Sequence, residues 1–167
     1  MADLVPQERL LPFLLDRLTD DDPATRMESR EKRSISMRQF QKALLRDLTW
    51  LLNTPSKTDR EQLEEFPEAM HSVLNFGMPD FTGHTHSDIT PQQVEKAIRQ
   101  AIQQFEPRIV KDSLIIRVTV NRQTAGNLLA VEIRGQVWAQ PVPEQFFVKT
   151  EVDLESGQVS LSDQLHG

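Results

Sequence analysis

The chain has 167 residues, a formal net charge of -6 and no cysteine. That length suits one domain with an extension and needs no covalent staple, while the missing cysteines exclude a disulfide framework and any thiolate metal site. The acidic balance argues against nucleic acid as the main partner, and an aromatic content of 6% without a tyrosine argues against stacking on sugars or single strands.

In chain order, the first element is a short apolar cluster of Leu10, Leu11, Phe13, Leu14, Leu15 and Leu18. Pro6 and Pro12 oppose a long helix there. No basic stretch precedes the cluster, and Arg9, Asp16 and Arg17 interrupt it, so a signal peptide is not expected. No apolar run approaches the roughly 20 residues of a bilayer span. No direct membrane insertion is therefore expected, and the lack of cysteine fits a reducing compartment. Thr19–Arg33 is polar and charged throughout, which reads as a solvated linker. Residues 1–35 are thus expected to form an N-terminal segment and linker, whose leucines either pack back on the domain or act as a tethered docking peptide.

From Ser36 the apolar period becomes helical, with Met37, Phe40, Leu44, Leu48 and Leu51 on one stripe widened by Leu45 and Leu52. Pro55 predicts a stop near Asn53. A short helix is expected over Glu68–Phe76, closed by Gly77, followed by turns at Pro79-Asp80 and Thr82-Gly83 and an exposed loop HTHSD. Thr90, Pro91 and Gln93 spell a capped helix start. Val94, Ala97, Ile98, Ala101, Ile102 and Phe105 make its apolar face, and Pro107 ends it by Gln104 or Phe105.

Beyond Pro107 the period changes to two. Leu114, Ile116, Val118 and Val120 form one face of a strand, and Leu129, Val131, Ile133 and Val137 form one face of the next. A third strand over Gln145–Leu154 alternates Phe146, Val148, Thr150, Val152 and Leu154 against Phe147, Lys149, Glu151 and Asp153. Glu155-Ser156-Gly157 reads as a turn leading to a polar tail. Helices first and an antiparallel three-stranded meander second predict an α+β domain over 36–160, with 161–167 as tail.

Sites for small-molecule chemistry find little support. His84 and His86 are the best zinc candidates, but no cysteine and no HExxH helix accompanies them, so no metal site and no cofactor is expected. There is no GxSxG, no GxGxxG and no P-loop. Glu106 is the most tempting general acid for glycoside hydrolysis, yet Arg108 is two residues on, and a nearby cation favours the ionised form of a carboxylate where that chemistry needs the protonated one.

Glu106-Pro107-Arg108 is a puzzle of its own. A helix C-terminus carries partial negative charge and favours cations, so a carboxylate there is locally misplaced. The triplet reads either as a helix stop with two solvated charges, or as a charge pair held by Pro107 at the helix–sheet edge to bond a partner. In both readings it lies on the surface, so Arg108→Ala is expected to fold almost normally.

Four stretches together resemble TssE, the type VI secretion baseplate family related to a small wedge subunit of contractile-phage baseplates. They are LLDRLTDDDP at 14–23, LLRDLTWLLNT at 44–54, SVLNFGMPDFTG at 72–83 and AIRQAIQQFEPRI at 97–109. The resemblance implies a structural subunit in the wedge beside TssF and TssG, with TssK and the spike protein VgrG nearby, and a fold similar to the strand-exchange part of the sheath subunit. It implies that the subunit offers a sheet edge to the sheath proteins TssB–TssC, and that Glu106, Pro107 and Arg108 contact the wedge core bundle. Leu14, Leu15 and Leu18 are the second expected contact. The two strands considered as the open edge are 114–121 and the one carrying Phe146 and Phe147. The competing activity is a lysozyme-like peptidoglycan hydrolase acting through Glu106.

Overall fold

The computed structural model describes residues 10, 13–19, 35–56, 63, 65–83, 88–120, 128–138 and 143–162. Among the described residues, the α-helices in chain order are α1 Leu14–Leu18, α2 Met37–Asn53, α3 Pro67–Met70 and α4 Pro91–Phe105. Four strands follow: β1 Ile115–Val120, β2 Leu128–Val137, β3 Glu144–Asp153 and β4 Val159–Ser162. They form one antiparallel sheet in the order β1-β2-β3-β4. The fold class is α+β, as the sequence predicts.

The two long helices are anchored by the same device. At Ser36 and at Thr90 the side-chain hydroxyl accepts from the backbone N–H of Gln39 and Gln93 respectively, and each glutamine side chain accepts in return from the cap backbone. Such a cap is worth about 1 kcal/mol. Leu44, Leu48, Leu51 and Leu52 of α2 and Val94, Ile98 and Ile102 of α4 bury their stripes against one sheet face. That face carries Leu129, Val131, Ile133, Val148 and Val152, all buried. The other face mixes apolar residues such as Ile115 and Phe147 with charged ones, and there Arg117, Glu132 and Lys149 stand in register across β1, β2 and β3.

Two expectations need correction. The meander has a fourth strand, and β4 runs to Ser162, where a polar tail is expected from 161. Asp153 builds the hairpin into it by accepting from the N–H of Glu155 and the hydroxyl of Ser156. β4 is then tied to the helix layer by one amide: Asn53 Nδ2 donates to the Val159 carbonyl at 3.0 Å and its Oδ1 accepts from the Val159 N–H at 2.8 Å. The expected helix over Glu68–Phe76 is also broken. It is α3 followed by a 3-10 turn at Val73–Asn75, because Ser72 turns its hydroxyl to cap the new turn at Leu74 N–H.

Gly77 closes this region in a conformation that only glycine adopts easily, with φ of 123°. The reason is a close crossing of chains. Met78 N–H donates to the Thr54 carbonyl and Ser56 N–H to the Met78 carbonyl, so the two segments lie side by side. A Cβ on residue 77 would stand 2.1 Å from the Thr54 oxygen. Gly77→Ala is therefore predicted to cost at least about 1–3 kcal/mol, read as a lowered denaturation midpoint with an unchanged slope.

Candidate functional site

The end of α4 is fixed by Pro107, which has no N–H to continue the ladder. Glu106 N–H still bonds to the Ile102 carbonyl at 2.9 Å. The chain then turns about Pro107 and Arg108, with Ile109 N–H donating back to the Glu106 carbonyl at 3.2 Å. After the turn the backbone docks on the end of β2. Trp138 N–H donates to the Arg108 carbonyl and Val110 N–H to that of Gln136, both at 2.9 Å. The buried Ile109 sits opposite Val137. Arg108 is thus held by its own main chain, and its side chain folds back over the helix end.

There it meets Glu106 as a fork on a fork. Arg108 Nε and Nη2 donate to the two oxygens of the Glu106 carboxylate, one each. The third nitrogen, Nη1, donates to Asp47 Oδ2 at 2.9 Å. Asp47 on α2 accepts from Arg46 Nε at 2.9 Å through its other oxygen, and Arg46 Nη1 reaches Asp16 on α1 at 2.6 Å. Five side chains of alternating sign therefore run from the end of α4 across α2 to α1. Arg46 Nη2 is buried without a hydrogen-bond partner among the described residues.

The same guanidinium is also a packing surface. Its Cζ lies 3.7 Å from the centroid of the Phe13 ring, and Phe13 leans on Phe40 of α2 at 5.0 Å. A cation on an aromatic face is worth about 0.5–2 kcal/mol, rising as water is excluded. Burial alone would lower the pKa of Arg108, but the bonds to Glu106 and Asp47 outweigh it and hold the pKa above the usual arginine value. Arg46 is likewise raised, first by its bond to Asp16.

This geometry corrects the surface placement of the triplet. Glu106 is only 4% exposed, and both of its oxygens are engaged by Arg108. The carboxylate at the helix end is there to neutralise and aim Arg108, which supplies the cation a helix C-terminus favours. Pro107 remains exposed. Arg108→Ala is no longer expected to fold almost normally, because it would strand two carboxylates and uncover Phe13. Both carboxylate oxygens of the proposed general acid Glu106 are taken up by Arg108.

Both sets of contact residues expected from the sequence come together through this network. The described part of the N-terminal segment packs back on the domain. Leu10 is buried and its carbonyl accepts from Ile35 N–H at 2.9 Å. Phe13 and Asp16 hold α1 against α2 and Arg108. Leu14 and Leu18 then point outward, 70% and 74% exposed, with Leu15 less so. Asp47 and Asp16 were missed by sequence reasoning. The signal available was the Arg46-Asp47 pair set between the leucines of α2.

His84 and His86 lie outside the described residues, as does His166. Among the described residues, no cluster of three or more His, Asp or Glu is arranged to hold a metal, and no helix is long and apolar enough to cross a membrane.

Compared with known families, residues 38–142 match the family described as baseplate wedge protein gp25. A comparison with curated proteins finds no match.

The two ends of the ion network should respond differently to mutation. Glu106→Gln removes the buried charge facing Arg108 and is predicted to cost about 2–4 kcal/mol, somewhat below a fully buried pair because Arg108 retains Asp47 and some solvent. Asp16→Asn breaks a part-exposed pair and should cost about 0–1 kcal/mol. Chemical denaturation of both variants checks the contrast.

Proposed function

The chain belongs to the family of baseplate wedge protein gp25, and from that membership we propose that it is a structural subunit of a contractile injection machine, the TssE-type subunit of a type VI secretion baseplate. The match covers residues 38–142, so it includes α2, α4, the triplet and the first two strands. The four stretches that resemble TssE add the finer assignment. In this reading the subunit sits in the cytoplasm beside TssF and TssG.

The observation that carries the docking reading is the outward-facing pair Leu14 and Leu18 on a five-residue helix. A helix that short does not hold itself together in water. It persists here because Phe13 and Asp16 are gripped from behind by Arg108, Phe40 and Arg46. A scaffold that fixes a helix while leaving its leucines in water suits a contact surface for another protein. On this account the Glu-Pro-Arg triplet contributes to docking through the segment it holds in place, with Pro107 at the exposed corner.

The sheath-templating part of the proposal needs an open sheet edge. β3, one of the two strands considered, pairs with β2 along its length and with β4 along Lys149–Val152 on the other side, which leaves only its short end around Phe146–Phe147 without a strand there among the described residues. The outer side of β4 is engaged at Val159 by Asn53. β1 is paired on one side only among the described residues, and it carries the exposed Ile115 and Val120. We therefore assign the edge offered to a sheath strand to β1.

Co-purification with TssF and TssG tests the docking half. Leu14→Ser/Leu18→Ser should keep the wild-type circular dichroism spectrum and lose at least tenfold in recovered complex. Full recovery with that variant would remove the N-terminal segment from the interface. The hydrolase reading makes the opposite prediction, namely release of soluble fragments from purified peptidoglycan that stops in Glu106→Gln; none is expected from the wild-type chain.

A further inference from the structure

A second exposed apolar surface lies on the segment between α2 and α4. Phe66, Val73 and Leu74 are 60%, 79% and 76% exposed within nine residues. They stand on a backbone that is firmly held. Phe76 packs edge-on against Phe105 at 5.3 Å. The Met70 carbonyl accepts from Gln104 of α4 at 2.9 Å and from Asn75 at 3.3 Å, and Gly77 locks the following residues to the end of α2. A loop that were merely solvated would gain by burying these side chains or replacing them with polar ones. Here the rigid support keeps them pointing into water as a ridge.

The chemistry of the ridge limits what fits it. Many of its backbone N–H groups are already used within the turns: Met70 to Phe66, His71 to Pro67, Ser72 to Ala69, Asn75 to Ser72 and Phe76 to Val73. A partner strand therefore finds few donors in a row to add to, which favours recognition through side chains. Along the sequence, the formal charges nearest the ridge are acidic. Between Arg60 and Lys96 the sequence contains several acids and neither lysine nor arginine, and Glu65 and Glu68 flank Phe66 as exposed neighbours. A complementary surface is apolar at its centre and basic at its margins.

We propose that the ridge formed by Phe66, Val73 and Leu74 is a docking surface for a basic amphipathic helix of a partner protein. It is separate from the N-terminal leucines and from the β1 edge, and it stands whether or not that partner is a baseplate subunit. The helix would lay an apolar stripe across the three side chains and set lysines or arginines against Glu65 and Glu68.

The test uses the full chain and two synthetic amphipathic helical peptides that share one leucine stripe. One carries lysines on its flanks and the other glutamates. Fluorescence anisotropy should show saturable binding of the Leu/Lys peptide to wild type, weakened by added salt. Val73→Ser/Leu74→Ser, at positions too exposed to disturb folding, should weaken it at least tenfold with an unchanged circular dichroism spectrum, and Glu68→Lys should weaken it severalfold. The Leu/Glu peptide should bind at least tenfold less tightly. Equal binding of both peptides to wild type would overturn the proposal, as would undiminished binding of the Leu/Lys peptide to Val73→Ser/Leu74→Ser. Light scattering that shows a wild-type dimer abolished by that double variant would also overturn it, by assigning the ridge to a second copy of this chain.

Discussion

One guanidinium organises the region on which this account depends. Arg108 donates to Glu106 at the end of its own helix and to Asp47 on α2, and it covers the Phe13 ring. Removing charges from water is costly unless every partner is supplied. The structure supplies them by geometry, since a planar fork matches the Glu106 carboxylate and leaves one edge for a second acid. The turn at Pro107 makes this possible by reversing the chain after α4, and β2 fixes the result by accepting from and donating to the backbone on both sides of Ile109. Helix end, helix pair and N-terminal segment are thereby held by one side chain.

The rest of the fold serves as a frame for that corner. Two capped helices lie on one face of a four-stranded sheet, and their leucine and isoleucine stripes fill the layer between. Single polar groups then set the boundaries. Asn53 satisfies both backbone groups of Val159 and ties the last strand to α2. Gly77 permits the close pass of residues 77–78 along 54–56. Among the described residues β1 is a sheet margin paired on one side only, and Leu14, Leu18, Val73 and Leu74 are apolar side chains left exposed on held segments. A baseplate subunit needs this combination of a stiff body and several distinct contact surfaces, and the membership of the baseplate wedge family fits it.

Much of the frame was legible in the sequence. The Thr90-Pro91-Gln93 start, the stop at Pro107 and most inward residues of the first three strands, Val120 excepted, follow from capping chemistry and from periods of 3.6 and 2. What was illegible is instructive. β4 has four residues, too few for an alternation to stand out, and its stabilising partner Asn53 is 106 residues away in sequence. The burial of Glu106 was hidden for a similar reason. Adjacent opposite charges look solvated in a linear reading, and the third member of the cluster, Asp47, is 61 residues away. Local pattern therefore gave the elements but not the long-range polar contacts that position them. Leu14 and Leu18 stood out in the sequence as members of an apolar cluster, but nothing in it showed that the Phe13 ring is covered by a cation from the far end of α4.

The central claim is that Arg108 acts on docking through the N-terminal helix it holds. A binding double-mutant cycle measures this directly, using the affinity for TssF and TssG of wild type, Arg108→Met, Leu14→Ser/Leu18→Ser and their combination. The account predicts that each change weakens binding and that the combination is little worse than the leucine variant alone, a coupling of at least about 1 kcal/mol. Fully additive losses, or wild-type affinity for Arg108→Met, would contradict it.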